Sequence, residues 1–185
     1  FRDQSRFNVE FSNKYTFLID DFDPTGTDGG IPLPGNQGYH YNSVKAQYNS
    51  DRRKIFAYSL EPSIGQFFNG NRFTVEGGMT FRFQPKVFLS MFMRYDKIEL
   101  PDPYPSADIW LISPKIEVTF TKSIFWSTLI QYSNQRDNFG INSRLQWRFA
   151  PLSDLFLVYN DNYFVDGFAP KTRSINLKVT YWLNI

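Results

Sequence analysis

The sequence predicts an all-β fold, an antiparallel up-and-down transmembrane β-barrel of about ten strands that occupies residues 1–185 as one domain. Three observations predict it: apolar and polar residues alternate with period two, short turns alternate with longer links, and aromatic residues stand near the strand ends. Aromatic residues make up 19% of the chain, cysteine is absent and the net charge is +2. Disulfides, thiolate chemistry and a nucleic-acid footprint are therefore excluded, and no apolar run is long enough for a transmembrane helix.

The first five predicted strands each place apolar residues on one face and polar residues on the other. In the first strand, Phe7, Val9 and Phe11 alternate with Asn8 and Glu10. This alternation is typical of strands with one apolar environment and one polar environment. The five strands are predicted near 7–19, 40–49, 54–61, 72–83 and 87–96.

The same pattern continues through five further segments, of which the last is the most regular. The five strands are predicted near 110–120, 124–132, 138–149, 154–160 and 175–185. The ninth is apolar on both faces, with Leu155 and Leu157 on one and Phe156 and Val158 on the other. Its direction therefore stays unassigned.

The predicted connections differ in length in a regular way. Short turns are expected at 50–53, 84–86, 121–123 and 150–153, and longer links at 20–39, 61–71, 96–108, 133–137 and 160–172. In an up-and-down arrangement the short turns share one end of the sheet and the longer links share the other. Outer-membrane barrels show this asymmetry, so we expect the long loops to be extracellular and the C-terminus periplasmic.

A soluble β-sandwich can use the same alternation, with the apolar face as its core. Residues 110–120 would span about 36 Å, or about 28 Å when tilted, which is close to the thickness of a bilayer core. Rings near strand ends resemble the aromatic girdle of membrane barrels. These predicted interface aromatics are Trp110, Phe120, Phe139, Trp147, Phe149 and Tyr181. We therefore favour the membrane barrel and keep a soluble, sandwich-type carbohydrate-binding module as the weaker alternative.

The polar face of the predicted barrel carries both signs of charge, which favours pairing between neighbouring strands. Such a face forms either a polar channel and binding surface or a packed network that fills the lumen. The residues predicted to face the lumen are Glu10, Lys14, Glu76, Arg82, Arg94, Lys115, Glu117, Arg144, Arg148 and Lys178.

No catalytic residue, metal site or cofactor is predicted. The lone His40 lies near several aspartates, but no nucleophile accompanies them. Residues 20–30 superficially resemble a calcium loop and lack its spacing and closing glutamate. The longer links hold many acids, which we interpret as solvated: Asp20, Asp21, Asp23, Asp28, Asp96, Glu99, Asp102, Asp108, Asp161 and Asp166.

The last predicted strand resembles the terminal targeting strand that the outer-membrane insertion machinery reads. Its alternating residues are predicted to form the assembly signal of the barrel. They are Leu177, Val179, Tyr181, Leu183 and Ile185.

The segment 125–161, together with the terminal INLKVTYWLNI, resembles the C-terminus of a family of Bacteroidota outer-membrane proteins. The matching positions are Gln131-Tyr132, Asn142, Arg144-Leu145, Trp147, 153–156, 158–160 and Tyr181. Proteins of that family typically carry an N-terminal family-9-type carbohydrate-binding module and a C-terminal β-barrel domain. The resemblance implies that this chain is the C-terminal barrel part of a longer protein.

On that basis we expect a membrane anchor or pore for a surface or periplasmic carbohydrate-related protein. Its expected partners are outer-membrane lipid and lipopolysaccharide, the barrel-insertion machinery and other outer-membrane proteins, with no nucleic acid. A structural subunit of a larger outer-membrane assembly is the alternative. The strands could close on themselves or form the last strands of a larger barrel.

Overall fold

A computed structural model of the protein describes residues 3–183, and these residues form ten β-strands in one antiparallel sheet. Each strand neighbours the next one in the sequence, so the sheet is up-and-down. The strands are β1 (Arg6–Leu18), β2 (Gln37–Asn49), β3 (Phe56–Phe67), β4 (Gly70–Phe83), β5 (Val87–Glu99), β6 (Ala107–Thr119), β7 (Ile124–Ser133), β8 (Asn138–Ala150), β9 (Ser153–Tyr163) and β10 (Pro170–Thr180). Within the described residues, no helix is long and apolar enough to cross a membrane.

The prediction of an all-β, up-and-down arrangement of ten strands is confirmed. The strands are long, from 10 residues in β7 to 14 in β4, whereas strands of globular proteins have about 5–6 residues. In the order of strands found over residues 3–183, β1 and β10 are the two outer members and do not pair with each other. The structure therefore shows the sheet and does not show closure into a barrel.

The chain divides into two compact units, of which the first comprises Phe1–Gly78 and Met93–Trp110. In this unit β1 and β2 pair without interruption from Arg6↔Asn49 to Leu18↔Gln37. The connection after β1 folds back on itself through two backbone hydrogen bonds between Phe22 and Leu33, of 2.9 and 2.8 Å. Leu33 is fully buried, so this connection has a small core of its own.

The second unit comprises Met79–Phe92 and Leu111–Ile185. Its register resolves the direction of β9, because Leu157 pairs with Leu145 on β8 and with Leu177 on β10. Directly paired residues point to the same side of a sheet. Leu155, Leu157 and Tyr159 therefore belong to the apolar face, and Phe156 and Val158 belong to the polar face.

The expected long link at 61–71 is wrong, because β3 continues to Phe67 and residues 68–69 alone connect it to β4. Pro62 and Gly65 imitate a strand end in the sequence. The ladder continues past Pro62, which has no N–H to donate, and pairs Ser43 with Gly65. A Cβ atom at Gly65 would lie 2.4 Å from the Asn42 carbonyl oxygen, so this close approach of two strands requires glycine.

The remaining connections keep a difference in length between the two ends of the sheet. We call the end with residues 50–55, 84–86, 120–123 and 151–152 the turn end. The other end, with residues 19–36, 68–69, 100–106, 134–137 and 164–169, is called the loop end. The difference in connection length between the two ends depends mainly on residues 19–36, since the other loop-end connections are short or of moderate length.

Candidate functional site

The apolar face of the sheet is exposed on β1 and β10 and half-buried on β5 and β7. On β1, Val9 and Phe11 expose 62% and 69% of their surface, and on β10 Leu177 exposes 66%. Soluble domains bury such alternating residues in a core. Within residues 3–183 the buried hydrophobic residues are instead only Leu33, Tyr39, Ala57, Ile98 and Leu100.

The polar face of the first unit carries paired charges. Lys45 Nζ lies 3.1 Å from Glu61 and 3.8 Å from Glu10. Arg94 lies 3.5 Å from Glu76 on the neighbouring strand. The structure thus places the predicted residues Glu10, Glu76 and Arg94 in ion pairs. Sequence reasoning missed Glu61 as a partner because it ended the third strand there.

Asp96 is the most buried charged residue of this face. It lies within β5 and is not a solvated link residue, which corrects the expectation for it. Its carboxylate accepts hydrogen bonds from Thr74 Oγ1 at 2.5 Å and from Arg94 Nε at 2.6 Å. These partners compensate the burial of the charge, so β5 extends past it.

The polar face of the second unit is less completely paired. Lys115 lies 2.9 Å from Glu117, and Arg148 lies 3.4 Å from Asp154. Arg82 lies over the ring of Phe88 at 5.8 Å. By contrast, three predicted lumen residues make no ion pair with any described residue; they are Lys14 in the first unit and Arg144 and Lys178 in the second. A hollow of about 340 Å³ beside Arg144 is lined by Glu117, Thr119, Ser127 and Gln146 among others.

Toward the loop end, the polar face of β8–β10 is uncharged and rich in amide groups. Asn142 donates to Asn160, whose own amide nitrogen donates to Ser174 Oγ at 3.3 Å. Asn162 Nδ2 donates to Thr172 Oγ1 at 3.1 Å. Sequence reasoning missed Asn160 and Asn162, because the direction of the ninth strand was unassigned.

Five of the six predicted interface aromatics, all but Phe120, form ring contacts with other described residues near the strand ends. At the turn end, Trp147 contacts Phe149 at 5.8 Å and Phe149 stacks on Tyr181 at 6.4 Å. Phe120 lies just beyond β6 and is exposed. At the loop end, Trp110 packs on Tyr95 at 4.5 Å in the first unit. Phe139 contacts Tyr163 at 6.4 Å in the second unit.

The predicted assembly signal is only partly strand. Leu177 and Val179 lie in β10, whereas Tyr181 and Leu183 follow its last residue, Thr180. Both are exposed, and the intervening Trp182 backbone N–H donates to Ser153 Oγ at 3.1 Å. Ile185 lies outside the described residues.

Asp23, one of the acids in the long link before His40, stabilises the connection 19–36. Asp23 Oδ1 accepts hydrogen bonds from the Thr25 backbone N–H at 2.8 Å and from Thr25 Oγ1 at 2.6 Å. Burial alone would raise the pKa of Asp23, but these bonds outweigh it and hold the pKa below its usual value. His40 packs against Tyr15 at 4.5 Å. Across residues 3–183, no three His, Asp or Glu side chains are grouped so that they could hold a metal ion.

At the turn end, residues 50–55 take part in two ion pairs within the described part of the chain, of which the shorter joins Arg53 to Asp51 and the other joins Lys54 to Asp3. Arg53 Nε and Nη2 donate to Asp51 at 3.0 and 2.8 Å. The Arg53 guanidinium and its backbone N–H hold the pKa of Asp51 well below its usual value. Asp51 is therefore ionised at neutral pH.

Comparison with protein-family models finds no match, and comparisons with the curated proteins and with the solved structures find none either. The likeness to the Bacteroidota family thus stays a prediction from the sequence.

Proposed function

We propose that the chain forms a transmembrane β-barrel of a bacterial outer membrane, in which the apolar face of the strands contacts lipid. The observation that supports this is the exposure of that face over β1 and β10. Exposed apolar surface of this extent favours aggregation in water. In a bilayer the same surface is stabilising, because lipid-facing and lumen-facing residues alternate along each strand of such a barrel.

Strand length supports the same proposal. A strand that crosses a bilayer at a tilt needs about 9–11 residues, and every strand of this sheet has at least 10. The two outer strands offer unpaired backbone groups, which a bilayer does not tolerate. The barrel therefore closes either between β1 and β10 or with further strands that complete a larger barrel.

The biological role that we propose follows the family resemblance: a membrane anchor or pore for a surface or periplasmic carbohydrate-related protein. In this arrangement the loop end is extracellular, the turn end is periplasmic, and the insertion machinery and lipopolysaccharide are partners. The amide-rich and incompletely paired polar face of β8–β10 favours contact with water over a fully packed lumen. Conductance across planar bilayers would distinguish a pore from an anchor.

A structural subunit of a larger outer-membrane assembly is the second candidate. The observation that favours it is that both outer strands of the sheet lack a neighbouring strand on one side within residues 3–183. Co-purification with another outer-membrane protein at fixed stoichiometry would support this role.

The proposal predicts that the refolded chain inserts into phosphatidylcholine vesicles. We expect it to float with the vesicles in a density gradient, to resist extraction by carbonate, and to change its gel mobility upon boiling. A chain that stays in the soluble fraction as a folded monomer contradicts the membrane proposal and favours the soluble alternative.

A further inference from the structure

A carboxylate is buried on the otherwise apolar face of β9. Asp161 is 1% exposed and pairs in register with Arg173 on β10. The hydroxyl groups of Tyr159 and Tyr163 both donate to Asp161 Oδ2 at 2.5 Å. The sequence placed Asp161 in a solvated link, and the structure corrects this: it lies within β9, toward the loop end.

Arg173 is fixed by this carboxylate and remains exposed over 58% of its side chain. Its Nε lies 2.9 Å and its Nη2 2.8 Å from Asp161 Oδ2, and Nη2 also donates to Tyr163 Oη at 2.9 Å. A guanidinium has five N–H donors in a rigid fork that matches phosphate oxygens. This arginine is therefore held in one orientation with donors to spare.

The second carboxylate oxygen of the pair has no partner. Asp161 Oδ1 is buried and accepts no hydrogen bond from any described residue. Buried polar atoms are nearly always paired, so an unpaired one indicates a missing donor. The donor that Asp161 Oδ1 lacks and the remaining N–H groups of Arg173 together fit a ligand that both donates and accepts hydrogen bonds.

An apolar hollow adjoins these residues on the same face. It has a volume of about 430 Å³ and is lined by Phe120, Trp126, Ser143, Leu145, Leu157 and Tyr159. The polar atoms in it are satisfied locally, because Trp126 Nε1 and Thr128 Oγ1 donate to Ser143 Oγ at 2.9 and 2.8 Å. Tyr159 belongs both to the hollow and to the Asp161 cluster, so the two are continuous.

We propose that the hollow and the Asp161–Arg173 pair form a binding site for one membrane lipid whose headgroup is a phosphate monoester. The headgroup phosphate accepts hydrogen bonds from the Arg173 guanidinium, its P–OH group donates to Asp161 Oδ1, and an acyl chain occupies the hollow. The inference depends on the membrane location proposed above. A cross-strand ion pair needed only to align β9 and β10 would explain the carboxylate and the arginine, but neither the adjoining hollow nor the unpaired oxygen.

The position of the charge agrees with a headgroup. Along the apolar face of β10, Arg173 follows Ile175, Leu177 and Val179 toward the loop end. A cation costs most at the bilayer midplane and little near the interface, where headgroup phosphates lie. Phe139, which contacts both Tyr163 and Phe168, adds rings at this end of the strands.

The test uses the full chain refolded into detergent micelles, with lipid retention measured by native mass spectrometry. Dioleoyl phosphatidic acid is the probe, and dioleoylglycerol and inorganic phosphate are its two separated halves. We expect the wild type to retain one phosphatidic acid, and Arg173→Gln to lower its affinity about tenfold, as expected for loss of charge-assisted hydrogen bonds. Leu157→Trp, which fills the hollow, should weaken retention with Arg173 intact.

Lys178→Gln is the matched control, because it removes an exposed cation from the opposite face of the same strand. It should retain lipid as the wild type does. If Arg173→Gln fails to refold, Arg173→Lys keeps the charge without the rigid fork and should still weaken retention several-fold.

Wild-type retention by the arginine variants overturns the proposal, as does equal retention of dioleoylglycerol. Displacement of the lipid by millimolar inorganic phosphate indicates a site for phosphate alone and also overturns it. Vesicle flotation of the same samples distinguishes a wrong lipid site from a wrong membrane location. If the chain floats but the Arg173 variants retain lipid normally, only the lipid site is wrong; if the wild type does not float, the membrane location is wrong as well.

Discussion

Replacing Leu177 by arginine is expected to destabilise the membrane-inserted protein by about 2–4 kcal/mol. Leu177 lies near the middle of β10 on the exposed apolar face, where a cation meets the hydrocarbon of the bilayer. Asn176 is the matched position, because it is the preceding residue and points to the polar face. Asn176→Arg should cost less than about 1 kcal/mol, since water and polar groups can accommodate the charge.

The measurement is the free energy of unfolding in urea of both variants, each folded into phosphatidylcholine vesicles. Exposure of Leu177 makes the comparison informative. On the surface of a soluble protein, substitution of an exposed leucine changes stability by only about 0.5 kcal/mol in either direction. Equal, small effects at both positions would contradict the assignment of this face to lipid.

Truncation of Asp96 is expected to have the second large effect. Asp96→Ala removes the acceptor of Thr74 and Arg94, and we expect a loss of about 2–4 kcal/mol because a charge and a hydroxyl lose their partner in a mostly buried position. The expected loss lies at the lower part of the range for buried pairs, since Arg94 keeps 38% of its side chain exposed.

Glu99→Ala on the same strand is the control for Asp96→Ala. Glu99 lies 2.6 Å from Lys97, but its side chain is 59% exposed, and exposed ion pairs contribute about 0–1 kcal/mol. Urea unfolding of the two variants should therefore differ by at least 1 kcal/mol or so. Similar stability of both would mean that the Asp96 cluster does not hold β4 and β5 together.

Most of the sheet could be predicted from the period-two pattern, because one residue of displacement along a strand exchanges its two faces. β1 and β10 show this most clearly, because apolar residues stand at odd positions and polar residues at even ones over 7–12 and 174–180. The pattern failed at the end of β3. Proline and glycine usually interrupt strands. Here the ladder between β2 and β3 continues past Pro62, which donates no hydrogen bond, and Gly65 lets the two strands approach closely.

The polar face was predicted more completely than the features that break the alternation. Glu10, Glu76 and Arg94 follow the pattern, and their partners lie on neighbouring strands. Asp161 and Arg173 lie on the apolar face, so alternation alone gave them no role. Only the register between β9 and β10 shows that they face each other, and register depends on pairing that a single sequence does not display.

Site-directed spin labelling along β1 tests most directly whether the apolar face contacts lipid. The chain has no cysteine, so single cysteines can be introduced and labelled without removing any native thiol. Labels at positions 9 to 12 report contact with oxygen, which concentrates in the hydrocarbon, and with a nickel chelate, which stays in water. In vesicles, we expect the labels that replace Val9 and Phe11 to respond to oxygen, and those that replace Glu10 and Ser12 to respond to the nickel chelate. Equal response of all four labels to the nickel chelate would contradict it.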